Sequence, residues 1–160
     1  MDYLWSPWRF QYVSKNPESI DCIFCQKAAE QHDETNWILH RGRHCFALLN
    51  LYPYSTGHLM VVPYIHVAAL AGVSSEGLAE MMELARRAEQ ALEQVYHPDG
   101  LNLGMNLGKA AGAGVAGHVH LHVLPRWFAD SNFITVVGET RVIPEELSVT
   151  YQKLKPFWGA

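Results

Sequence analysis

Three histidines at alternate positions, His118, His120 and His122, carry the strongest chemical signal in the chain. Val119, Leu121 and Val123 separate and follow them. Such alternation reads as a strand over about 117–124, because a strand sends successive side chains to opposite faces. The three imidazoles then share one face. A core strand does not tolerate three polar rings without partners, and a solvated strand has no need of them. The row points to a metal ion, a nucleophile, or both.

A neutral imidazole attacks phosphorus when one ring nitrogen is fixed as N–H and the other keeps its lone pair. His120 is the candidate. The segment from Gly108 to Gly117 before it holds four glycines, and backbone N–H groups in such a loop cradle phosphate oxygens. Asn106 supplies a short amide at the loop entrance. The alternative, three histidines on one metal ion, stays open at this level.

Metal ligands are also available elsewhere. Cys22 and Cys25 have the C-x-x-C spacing that lets two thiolates bind one ion from a tight turn. Zinc, a redox pair and chance all produce that spacing. The strand-then-helix context of a thioredoxin-like redox motif is missing, which favours zinc. A structural zinc needs two further N or S ligands. His66, at the exit of a strand, and His118 are the candidates.

Several elements must position these groups. A short helical pattern follows Cys25 through Ala29. Residues 37–39, 45–49 and 58–62 read as strands, the last stopped by Pro63. The clearest helix runs from Ser75 to Tyr96, with Leu78, Met81, Ala85, Ala88, Leu92 and Val95 on one stripe and Ser74 or Ser75 as cap. Glu83 and Arg87 are spaced to pair along it. A strand over 101–107, the glycine loop and the histidine strand follow. Residues 133–137 read as a short strand and residues 144–154 as a short helix. The order is α+β with a largely antiparallel sheet. Cys45 reads as a small core residue, and His32, His40, His44 and His97 as solvated side chains.

The chain has 160 residues, 49% apolar and 18% charged, which suits a single globular domain over 1–160. Its net charge of -4 argues against a nucleic-acid partner. No run reaches the length of a membrane span, and Met1-Asp2-Tyr3 does not open a signal peptide. The expected location is cytoplasmic, and three cysteines are not expected to form a disulfide framework. The aromatic stretch from Trp5 to Phe10 is expected to pack on the domain or on a partner subunit.

The run from His118 to Leu124 resembles the signature of the histidine-triad (HIT) family, His-φ-His-φ-His-φ-φ with φ apolar. The similarity extends over Leu48 to Pro63, Leu124 to Trp127 and Asn132 to Thr135. Leu4 to Arg9 with Tyr12, and Val142-Ile143-Pro144, look like the branch containing diadenosine tetraphosphate phosphorylases.

The resemblance implies a HIT-like α+β fold with one long helix and a short C-terminal helix, its sheet joined to that of a second copy in a homodimer. It implies nucleotidyl transfer or hydrolysis at the α-phosphate of adenosine nucleotides or dinucleotides. His120 would become nucleotidylated and His122 would contact the phosphate and assist the leaving group. Asn50 would bind the ribose, Asn106 would lie near the phosphate, and His58 would sit beside the triad. Zinc-bearing relatives imply a structural zinc on Cys22, Cys25, His66 and His118, with the segment 22–25 as its first half. Gly114 and Val115 stand where many members carry polar side chains, so backbone N–H groups from Gly112 to Gly117 would have to hold the phosphate. Hydrolysis of phosphoramidates or dinucleotides with water, and a zinc-stabilised nucleotide-binding module with little catalysis, are the competing expectations.

Overall fold

The computed structural model describes residues 22–130, 133–138, 143 and 145–159. The expectations for Trp5 to Phe10, Leu4, Tyr12, Asn132, Val142 and Pro144 lie outside the described residues.

Among the described residues five strands form one antiparallel sheet: β1 (Ile38–Arg41), β2 (Cys45–Leu49), β3 (Leu59–Pro63), β4 (Gly100–Gly104) and β5 (Leu121–Arg126). Their spatial order is β1-β2-β3-β5-β4, so β4 is an edge strand. Helix α1 (Ile23–Ala29) precedes the sheet, and α2 (Ser75–Tyr96) links β3 to β4. Short helices α3 (Phe133–Val137) and α4 (Leu147–Leu154) follow β5.

Strand alternation divides the sheet between two cores. Cys45, Ala47, Leu49, Leu59, Val61, Leu121 and Val123 pack against Met81, Ala85, Ala88 and Leu92 of α2 and Tyr151 and Leu154 of α4. Phe46, Leu48, Met60 and Val62 face the other way, with Ile38 and with Phe24 of α1. Burying one leucine or methionine of such a stripe contributes about 1.5–3 kcal/mol, so packing rather than helix propensity fixes α2. The Ser74 hydroxyl accepts from Gly77 N and caps its start.

Two polar clamps tie the layers together. Glu80 of α2 accepts hydrogen bonds from the backbone N–H groups of Arg43, His44 and Cys45 in the β1–β2 turn. Arg41 of β1 donates to the carbonyls of Lys27, Ala28 and Glu30 at the end of α1 and pairs with Asp33. These are the carbonyls that a helix leaves without internal partners.

Sequence expectations change in several places: the helix expected over 144–154 begins at Leu147, and the helical pattern expected after Cys25 begins at Ile23. The strand expected over 117–124 begins only at Leu121 and ends at Arg126, because Val119 N bonds to Val67 O instead of a neighbouring strand. The strand expected over 101–107 ends at Gly104. Residues 133–137 are helical despite their β-branched composition, and among the described residues no strand pairs with them. Glu83 pairs with Arg86, while Arg87 turns to the carbonyl of Trp158.

Candidate active site and metal centre

The register places the site. Ile38, Leu48, Met60, His122 and Gly104 face one another across β1, β2, β3, β5 and β4. Directly paired residues share a face, so His122 lies on the same face as the apolar cluster around Phe24. His118 and His120 precede β5, and their rings reach Phe24 at 5.4 and 5.0 Å between centroids. The rings of His120 and His122 are 4.8 Å apart.

Each tautomer follows from a partner that only donates or only accepts. His118 Nε2 lies 2.8 Å from the carbonyl of Pro63, so it carries the proton and Nδ1 keeps a lone pair. His120 Nδ1 lies 2.8 Å from the carbonyl of His118, so it is N–H and Nε2 is the available nucleophile. His58 Nδ1 accepts from Tyr54 N at 3.1 Å, so its proton is on Nε2. That Nε2–H donates to His122 Nδ1 at 2.8 Å and leaves the His122 proton on Nε2.

His58, His118, His120 and His122 are 1, 1, 5 and 7% exposed. Burial, then the neighbouring His122 and His120, pushes His58 down to about 3. Burial and then His120 push His122 down to about 4. Burial also lowers His120, against the opposing effect of the His118 carbonyl. Near neutral pH these imidazoles are therefore uncharged, as a nitrogen nucleophile requires.

The remaining expected residues fall around this row. Asn50 Oδ1 accepts from Tyr52 N, and its amide nitrogen lies 3.3 Å from His58 Nδ1. Asn106 is half-buried two residues beyond β4. His58 is buried behind His122 and meets that ring through its Nε2. Gly112 and Gly114 are exposed in the loop. The Gly112 N–H, expected to face phosphate, donates instead to the carbonyl of Lys109, closing a 3-10 turn at a left-handed φ of 86°.

The sequence did not single out two contributors. Phe24, between the two cysteines, packs on both His118 and His120. Tyr54 supplies the N–H that sets His58 and places its ring 5.9 Å from that of His122. The only cue to Phe24 was a large apolar residue inside the C-x-x-C pair.

Cys22, Cys25, His66 and His118 come together, their ligand atoms all within 4.8 Å of one another. Cys22 Sγ is 3.2 Å and Cys25 Sγ 3.7 Å from His118 Nδ1, and Cys25 Sγ is 3.3 Å from His66 Nδ1. Tetrahedral bonds of about 2.0–2.3 Å place ligand atoms roughly 3.3–3.8 Å apart. The two thiols, two imidazoles and their spacing fit one tetrahedral ion.

The HIT domain family matches residues 31–129. The chain belongs to the HIT domain family. The family shares its α+β fold and antiparallel sheet with this chain. An AP-4-A phosphorylase of Mycobacterium tuberculosis is 40% identical, over 98% of this chain and 84% of its own length. The asymmetrical bis(5'-nucleosyl)-tetraphosphatase of Schizosaccharomyces pombe is 32% identical, over 58% of this chain and 50% of its own length. A Zn-bound histidine triad family protein from Mycobacterium smegmatis superposes with a TM-score of 0.69 at 28% identity, covering 86% of this chain and 92% of the other. Among the described residues no helix of this HIT protein is long and apolar enough to cross a membrane.

Proposed function

We propose that this HIT protein is a nucleotidyltransferase or hydrolase acting on the α-phosphate of adenosine dinucleotides through a His120-nucleotidyl intermediate. The observation that carries the reading is the His120 ring, with Nδ1–H tied to the His118 carbonyl and Nε2 left as a lone pair. In the first step Nε2 forms a bond to phosphorus as the phosphorus–oxygen bond to the leaving phosphate breaks. The leaving oxygen keeps the electron pair. His120 Nδ1–H stays on the carbonyl and shares the positive charge of the substituted ring. His122 Nε2–H donates to the developing charge on the phosphate oxygens. An acceptor oxygen then forms a new bond to phosphorus and His120 Nε2 leaves. Asn50 is assigned to the ribose and Asn106 to the phosphate.

Phosphate is the proposed acceptor, supported by the near full-length similarity to the AP-4-A phosphorylase. Water is the second reading, favoured by Gly114 and Val115, which offer no polar side chain to a phosphate acceptor. The Cys22, Cys25, His66 and His118 cluster is assigned to a closed structural zinc, which would pin the chain next to His120 and supply no open coordination position. A cytoplasmic homodimer joined through the sheets completes the proposal.

The test is product analysis of a diadenosine tetraphosphate digest with and without inorganic phosphate. ADP formed only with phosphate is the expected result; AMP formed irrespective of phosphate selects hydrolysis. Loss of turnover by several orders of magnitude in His120→Ala is expected, and retained turnover would overturn the mechanism.

A further inference from the structure

The row that contains the catalytic face is asymmetric about His122. On one side lie Met60, Leu48 and Ile38, buried beneath Phe24 of α1. On the other lies Gly104, paired directly with His122. Its Cα therefore stands about 4.5–5.5 Å from that of His122. Among the described residues, a Cβ at Gly104 meets nothing within 4 Å.

The rest of β4 repeats the pattern. Gly100, Asn102 and Gly104 pair with Arg126, Leu124 and His122 and share their face, while Leu101 and Leu103 belong to the opposite face. A Cβ at Gly100 also meets none of the described residues within 4 Å. The catalytic face of β4 is thus a bare shelf of Gly, Asn and Gly. Its far end is polar: Arg126 donates to Asn102 Oδ1 at 2.7 Å and pairs with Asp130. That end lies roughly 13 Å along β5 from His122.

A glycine inside a strand weakens it, and such a residue marks a place where a ligand or another backbone comes close. Neither backbone freedom nor neighbour crowding explains Gly104, whose φ is not positive and whose Cβ direction is open. Displacement at phosphorus sends the leaving group away from the nucleophile, roughly in line. With the nucleotidyl half over Asn50 and attack from His120, the departing half passes His122 and has the β4 shelf before it.

We infer that the Gly100–Asn102–Gly104 face of β4 is the leaving-group subsite, taking a 5'-nucleoside polyphosphate, and that Gly104 determines whether so long a leaving group is accepted. The inference rests on the function proposed above. It assigns the shelf to the half of the substrate that His120 does not retain.

The test compares two ligands on the same variant. Gly104→Val adds bulk over the shelf from a Cβ position that is open among the described residues and improves strand propensity, so the variant is expected to fold. Binding is measured by calorimetry for AMP and for diadenosine tetraphosphate. The expected result is roughly tenfold or greater weakening for the dinucleotide, with AMP within about twofold of the wild type. Equal weakening of both ligands overturns the inference and leaves the function proposal standing, and so does no weakening of either. A changed oligomeric state with both affinities intact also overturns it, and assigns the glycine to contact between copies. Wild-type protein that binds neither nucleotide removes the proposed function and this inference together.

Discussion

His58 Nε2 stands 2.8 Å from His122 Nδ1, with Tyr54 N–H on the far side of the His58 ring. One backbone N–H thus sets the proton position of two successive imidazoles and turns the His122 donor outward. His58→Phe removes the link while filling the space. It is expected to lower kcat by about 10²-fold, the scale of a displaced proton donor, with little change in KM. An unchanged kcat would show that His122 selects its tautomer without His58.

The same pair makes stability depend on pH. His58 and His122 titrate at about 3 and about 4 in the folded chain, below the ordinary 6.5. The unfolded chain therefore binds more protons between those values, and stability rises with pH there. Their contribution is complete above about 6.5. It is lost progressively as pH falls through the folded values. Urea unfolding at pH 7, 6 and 5 is expected to show declining stability, with a shallower decline in His58→Gln. Equal slopes in the two proteins would contradict this.

Metal removal tests a different part of the molecule. Elemental analysis is expected to give about one zinc per chain, and Cys22→Ser with Cys25→Ser is expected to lose both the metal and thermal stability. Native protein free of zinc would reject the assignment.

Glu80 offers a stability measurement far from the chemistry. Burial alone would raise its carboxyl, and the N–H groups of Arg43, His44 and Cys45 outweigh that and hold it below the ordinary range. Glu80→Ala is expected to cost about 2 kcal/mol in chemical unfolding, the scale of hydrogen bonds to a charged acceptor. A loss below a few tenths of a kcal/mol would mean that water replaces the carboxylate.

Helix α2 was legible in the sequence to its end residues, because its apolar stripe and Ser74 cap are local signals. The Cys22–Cys25 pair was legible from its spacing, whereas His66 and His118 were joined to it chiefly by the family resemblance, and the structure brings the four side chains' ligand atoms within 4.8 Å of one another. The start of β5 was not legible, since it depends on Val119 N finding Val67 O, a partner 52 positions away. Residues 133–137 mislead for a related reason: β propensity expresses packing on a pleated surface, and among the described residues no strand pairs with them. The roles of Phe24 and Tyr54 were invisible because one acts by ring packing across layers and the other through its main chain.

His118 serves its two neighbours with different atoms. Its side chain faces Cys22 and Cys25, while its peptide oxygen holds the His120 ring. Every residue type carries that oxygen. A substitution at position 118 can therefore remove the imidazole beside the two cysteines and leave the hydrogen-bond acceptor of His120 in place, provided other packing holds the loop. Two different demands on this loop, a side chain beside two thiols and a carbonyl under an imidazole, thus meet at a single residue and remain separable by substitution.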